Sequence, residues 1–242
     1  GHTRLSIVDL SEAGNQPMSS EDDNYSIIFN GEIYNHLELR EKLSRKKFNG
    51  HSDTETILYY LIEFGIESVV DFNGIFAFSF YNKKANKLYL ARDPFGVKPL
   101  YYYYYENNLI FSSEIRPIHH LGIKKEINKN LLSTFLRLRY LPSPYTLYKH
   151  IKKVKPGEFI KVNLENDNIA LIKKTYAKVS QINNNLSFED ALSEYEIKLQ
   201  KAVKRQLMSD VPISLLLSGG VDSALMAKLI KHDSNYDITS YT

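Results

Sequence analysis

Ser218-Gly219-Gly220-Val221-Asp222-Ser223 carries the most explicit chemistry in the chain, standing directly behind the apolar run Val211-Pro212-Ile213-Ser214-Leu215-Leu216-Leu217. Paired glycines let backbone N–H groups approach an anion without Cβ interference, and a helix starting at Val221 turns its positive end toward the same spot. Two hydroxyls and a carboxylate complete a set suited to pyrophosphate, and Asp222 beside a triphosphate would hold Mg²⁺ through oxygen. The spacing has neither the Gly-Lys-Ser/Thr ending of the Walker loop nor the Gly-x-Gly-x-x-Gly of dinucleotide folds, which lowers the weight of ordinary NTPases and dehydrogenases. A strand-to-helix connection that binds nothing needs at most one glycine, so the phosphate reading leads.

Three earlier positions are ambiguous on their own. Asn30-Gly31 is the favoured pair of two-residue hairpins, yet Glu32-Ile33-Tyr34-Asn35 and a helix follow it instead of a matching strand. An Asn amide beside a Gly N–H would also serve as an oxyanion hole, where loss of one donor costs roughly 100- to 1,000-fold in rate. Asp53 reads first as the N-cap of a helix beginning at Thr54, and Arg4 as a solvated or salt-bridged surface cation. His119-His120 lacks the spacing of a metal pair, and Tyr101 to Tyr105 reads as a strand covered on both faces. The chain contains 0 Cys, which excludes disulfides, thiolate metal sites and cysteine nucleophiles within this stretch.

The elements that must position these groups follow from periodicity. A strand is predicted over 25–29, closed by Asn30-Gly31 as a turn, then helices over 35–46 and 54–64. Segments 74–81, 87–92, 99–105 and 109–112 read as an antiparallel meander, giving an α+β or layered α/β/β/α domain. The polar, Asn-rich segment 179–186 is read as a linker between a first domain, 1–180, and a second, 187–242. In the second, Ser187-Phe188-Glu189-Asp190 matches a capping box, and Phe188, Leu192, Tyr195, Leu199, Ala202, Val203 and Leu207 line one helical face. Strand 213–217, helix 221–232 and strand 237–241 form a βαβ unit, the start of a parallel α/β nucleotide-binding sheet.

Lys and Arg total 31 against 28 Asp and Glu, a net charge of +3 that is too mild to point to nucleic acid or an anionic membrane as partner. No apolar segment approaches the roughly 18 to 20 residues needed to cross a bilayer, so a cytoplasmic protein is expected.

Five motifs in one order, Gly1-His2-Thr3-Arg4-Leu5-Ser6-Ile7-Val8-Asp9, Phe29-Asn30-Gly31-Glu32-Ile33-Tyr34-Asn35, Ser52-Asp53-Thr54-Glu55, Asp71-Phe72-Asn73-Gly74-Ile75-Phe76-Ala77 and Ala91-Arg92-Asp93-Pro94-Phe95-Gly96-Val97-Lys98-Pro99-Leu100, resemble the class II glutamine amidotransferase domain. Specifically they are similar to glutamine-hydrolysing asparagine synthetases. Met208-Ser209-Asp210-Val211-Pro212 with Ser218 to Ser223 resembles the ATP pyrophosphatase loop that opens that family's synthetase domain.

The resemblance implies a layered N-terminal-nucleophile-type fold. It implies that Arg4 pairs with the glutamine α-carboxylate, with Leu5, Ser6, Ile7 and Val8 lining the pocket. Asn30 and Gly31 would form the oxyanion hole, Glu32 would border the substrate and Asp53 would hold the α-amino group. Leu217 would touch the adenine nucleotide, with Ser218, Gly219, Gly220, Asp222 and Ser223 on its phosphates. The implied reaction is an ATP- and Mg²⁺-dependent amide ligation: aspartate becomes an acyl-adenylate, and ammonia from glutamine attacks it to give asparagine, glutamate, AMP and pyrophosphate. Pairing into homodimers is a family expectation. The family's nucleophile is an N-terminal cysteine upstream of the Arg motif, so the chain is expected to be a fragment, cut at both ends and inactive as a glutaminase. Two alternatives stand beside this: a relative that amidates another carboxylate, such as a surface sugar acid, and a glutamine- or nucleotide-binding regulator without catalysis.

Overall fold

A computed structural model describes residues 1–45, 47–164, 169–177, 185–233 and 238–242. The first unit contains β1 (Met18–Ser19), β2 (Tyr25–Ile33), β3 (Gly74–Asn82), β4 (Lys87–Arg92), β5 (Tyr101–Tyr105), β6 (Asn108–Ser112), β7 (Ile151–Lys153), β8 (Glu158–Asn163) and β9 (Ala170–Thr175). They pair antiparallel into a six-stranded sheet, β1-β2-β3-β4-β8-β9, and a three-stranded sheet, β6-β5-β7.

Strand alternation sorts the side chains into layers. Phe76, Phe78 and Phe80 of β3 join Ile27, Phe29 and Ile33 of β2 under α1 (His36–Lys42) and α2 (Asp53–Phe64), where Leu39, Ile57, Leu58 and Leu61 complete a buried core. Ala77 and Leu90 face the other way and pack with Tyr102, Ile160 and Val162 between the sheets. Beyond the second sheet, Tyr103 and Ile151 meet Ile118 of α3 (Ile115–His120). The order is helix, sheet, sheet, helix, the layered one of the two architectures the strand and helix pattern left open, and the tyrosine run is a central strand with Tyr102 and Tyr103 buried on opposite faces. A further short helix, α4 (Leu132–Leu138), follows α3.

Several boundaries differ from expectation, each for a physical reason. Asn30-Gly31 is no turn: β2 continues through it to Ile33, pairing Asn30 with Ala77 and Gly31 with Phe76. Glycine is required there because a Cβ at Gly31 would stand 2.1 Å from the Ile75 carbonyl oxygen. The helix predicted over 35–46 ends at Lys42, where the Leu43 amide closes onto the Arg40 carbonyl; residue 46 lies outside the described residues. The meander is interrupted, because β4 pairs with β8 while β5 belongs to the other sheet.

Asp93 makes that change of sheet. Its side chain is fully buried; Oδ1 accepts from the amides of Phe95 and Val97 (both 3.0 Å), and Oδ2 from those of Lys98 (3.0 Å) and Phe76 (3.3 Å). Arg92 ties down the same elbow by donating to the carbonyls of Gly96, Lys98 and Val154.

In the second unit Ser187 accepts from the Asp190 amide and starts α5 (Phe188–Arg205), followed by β10 (Ser214–Leu216), α6 (Val221–Asp233) and β11 (Thr239–Tyr241). β10 and β11 are parallel, as a βαβ unit demands. Val203, Leu207 and Ile230 form its core with Leu199, Ile213 and Met226. Only the last turns of α5 are covered: Phe188, Leu192 and Tyr195 of the predicted apolar face are exposed. The predicted linker falls largely on residues 178–184, outside the described residues.

Candidate functional site

Where the two sheets part, a cleft of about 800 Å³ opens between β2 and the start of the second sheet. Its floor follows from parity: Ile27, Phe29 and Ile33 point into the helix-side core, so Ile28, Asn30 and Glu32 face the cleft. Leu100, Phe111 and Ser112 form the facing wall. The segment 1–8 forms the rim; Arg4, Leu5, Ile7 and Val8 line the cleft, and Ser6 does not. Asn30, Gly31, Glu32 and Asp53 line it with them, so residues from three separate motifs converge.

Asp53 reaches the cleft because Ser52 takes over the capping. The Ser52 hydroxyl accepts from the Glu55 amide (3.2 Å), which makes Asp53 the first helical residue and corrects its reading as the N-cap. Its carboxylate is then free to accept from the Ile33 amide (3.0 Å) at the end of β2. Burial pushes the Asp53 carboxyl up to about 6, against the pull of its amide partners. Glu32 is pushed up to about 7 by burial and then by the Asp53 charge, with Lys98 opposing. Glu32 Oε1 is buried and has no hydrogen-bond partner among the described residues. Two poorly solvated carboxylates, one with an open acceptor, make a receptor for a cation such as an ammonium group.

Arg4 supplies the opposite charge at the rim. Its guanidinium donates to the carbonyls of Val8 (2.9 Å), Ser11 (3.2 Å) and Asp9. The cation is therefore fixed by its own loop at the edge of the cleft. Lys98 also lines the cleft, delivered there by the Asp93 elbow. The residue pattern alone gave no reason to single it out; the signal was the cluster of turn-forming residues around Asp93.

The glycine turn is built largely from its own groups. Ser218 Oγ lies 3.1 Å from Ser223 Oγ and accepts from the Gly220 amide at 3.4 Å, and the Ser223 hydroxyl donates to the Gly220 carbonyl (3.0 Å). Gly219 has a φ of 77°, a left-handed conformation that disfavours other residues. Leu217 donates from its amide to Tyr241, extending the parallel pairing up to the turn. Ser218, Gly219, Gly220 and Asp222 are exposed at the start of α6, with Ser223 half-buried behind them. This donor set fits phosphate oxygens. Among the described residues no group of three or more His, Cys, Asp or Glu forms a metal cage, so Mg²⁺ at Asp222 would depend on phosphate ligands.

The layered fold, with a charged cleft where its sheets part, is that of amidotransferase-type domains in solved structures. A family model described as glutamine amidotransferase domain matches residues 1–177, and one described as asparagine synthase matches residues 194–242. The chain belongs to the glutamine amidotransferase domain family, and the asparagine synthase match lies behind that domain.

Among curated relatives, glutamine-hydrolysing asparagine synthetase 1 of Bacillus subtilis (strain 168) is 39% identical, covering 96% of this chain and 36% of its own length. A putative glutamine-hydrolysing asparagine synthetase 2 of Methanocaldococcus jannaschii is 36% identical over 96% of this chain and 48% of its own. The chain thus spans between a third and a half of these relatives. A solved glutamine phosphoribosylpyrophosphate amidotransferase from B. subtilis shares the fold, with a TM-score of 0.52 at 16% identity over 99% of this chain and 50% of that one. Among the described residues no helix is long and apolar enough to cross a membrane.

Proposed function

We propose that the chain is the glutamine-binding half and the nucleotide loop of an ATP-dependent amide ligase that forms asparagine from aspartate. The observation carrying this reading is the convergence of Arg4, Asn30, Gly31, Glu32 and Asp53 on one cleft, in a chain whose amidotransferase match continues into an asparagine synthase match. An α-amino acid presents an ammonium and a carboxylate on one carbon. The carboxylates of Asp53 and Glu32 complement the first and the Arg4 guanidinium the second. The Asn30 amide and the Gly31 N–H would stabilise the oxyanion formed when the side-chain amide is attacked. No cysteine occurs in the chain, so a cysteine nucleophile for glutamine hydrolysis would have to come from outside these residues.

In the second unit, Ser218, Gly219, Gly220 and Ser223 would hold the ATP phosphates and Asp222 their Mg²⁺, with Leu217 against the base. ATP supplies the activation that turns the acceptor carboxylate into an electrophile. The test is to offer the full-length protein aspartate, ATP, Mg²⁺ and glutamine. Asparagine and AMP are expected in equal amounts, and Asp222→Ala is expected to abolish AMP formation while sparing glutamine hydrolysis. Amidation of a different acid in place of aspartate would reject the acceptor assignment. Binding of glutamine or ATP without turnover would reject catalysis in favour of a regulator.

A further inference from the structure

The two units meet at one carboxylate. Asp210, between α5 and β10, accepts through Oδ2 from the Asp9 amide at 2.7 Å and from the His51 ring, whose Nε2 lies 2.7 Å away. Its own amide donates to the Ile7 carbonyl at 2.9 Å. These bonds end on the segment that forms the cleft rim and on the residue two places before Asp53.

Asp9 passes the constraint on. It is 1% exposed and holds a φ of 58°, uncommon for a residue with a side chain. Its Oδ1 accepts from the Ser11 amide (3.1 Å) and hydroxyl (2.5 Å), and its Oδ2 from the His51 amide (2.8 Å). Its carbonyl, with those of Val8 and Ser11, receives the Arg4 guanidinium. Residues 1–10 form no helix or strand, so the rim has no ladder to hold it. Its position is set by such discrete contacts, and charge-assisted ones dominate.

We infer that Asp210 is a positioning residue of the glutamine cleft, supplied by the second unit. It does not line the cleft; it fixes Ile7 and Asp9, and through Asp9 the Arg4 guanidinium, relative to His51 and Asp53. The donor site reaches its binding geometry only with the second unit docked. The short chain from Asp210 through Val211 and Pro212 into β10 makes the same residue the link to the phosphate loop. This rests on the reading of the cleft as a glutamine site.

The experiment compares steady-state kinetics of the full-length protein with L-glutamine and with ammonium chloride as nitrogen source, for wild type, Asp210→Asn, Asp210→Ala and His51→Gln. Asp210→Ala removes both hydrogen bonds made by Oδ2 and is expected to raise the glutamine KM by about tenfold or more. Asp210→Asn keeps an acceptor for the Asp9 amide and should fall between Asp210→Ala and wild type. His51→Gln should shift the glutamine KM in the same direction by a smaller factor. The loss should fall on KM for glutamine and leave the ratio of glutamine to ammonia kcat nearly constant. A glutamine KM within twofold of wild type in both Asp210 variants would overturn the inference, as would an equal loss with ammonia, which marks a purely structural role. A wild-type protein that uses ammonia and never consumes glutamine would refute the cleft reading itself, and this inference with it.

Discussion

Asp53→Asn should make the protein more stable and less able to bind glutamine. The Asp53 carboxyl is 6% exposed, and its pKa is pushed from 3.8 to about 6. A displacement of that size corresponds to about 3 kcal/mol of preference for the protonated form in the folded state. Because the folded value is raised, the contribution is fully present below the unfolded pKa near 4, fades as pH climbs through about 6, and is gone at pH 8. Asparagine keeps an oxygen for the Ile33 amide and carries no charge at any pH. The variant is therefore expected to gain about 2 to 3 kcal/mol at pH 8 and almost nothing at pH 4.

Glu32 adds to the gain, since removing the Asp53 charge relieves part of what raises its own pKa, though its partial exposure to solvent shrinks that share. Urea denaturation followed by circular dichroism at pH 4, 6 and 8 measures the difference. Destabilisation at pH 8, or an equal gain at pH 4 and pH 8, would refute the claim that Asp53 is an electrostatically costly group held ready for a cation.

Three other substitutions test the scaffold. Gly31→Ala drives a methyl into the Ile75 carbonyl across the β2–β3 pairing and should cost about 3 kcal/mol in urea denaturation, at the upper end of overpacking penalties; a cost below 1 kcal/mol would contradict the close approach. Asp93→Ala leaves four backbone amides without their acceptor and should cost at least about 3 kcal/mol or prevent folding, read as soluble yield and melting temperature. Ser52→Ala removes the cap of α2 and should cost about 1 kcal/mol, measured by denaturation at neutral pH.

Strands and helices were legible because apolar runs such as 74–81 differ in period from 54–64, while the number of layers stayed open, since the alternation of large and small residues along β3 names two faces without saying what covers each. The phosphate turn was legible because a strand, two glycines and a helix follow one another locally. The limits lay in long-range pairing. Asn30-Gly31 looks like a hairpin turn until β3 is seen beside it, since nothing local says that Gly31 exists to admit the Ile75 backbone. Asp53 looked like a cap because the neighbouring Ser52 is equally good at capping, and the choice is made by the Ile33 amide, 20 positions away. Lys98 was not singled out because its place in the cleft follows from the turn around Asp93, and the role of Asp210 was invisible because its partners Asp9 and His51 lie far away in the chain.

The Asp93 elbow bears on how the cleft can change over evolution. A compact knot of amides around one carboxylate joins the sheet of its floor to the sheet of its far wall, so a change in that knot changes the mouth. Conversely, any attempt to transplant the mouth into another scaffold would have to carry the knot with it, together with the short link 154–157 that joins β7 to β8 beside it.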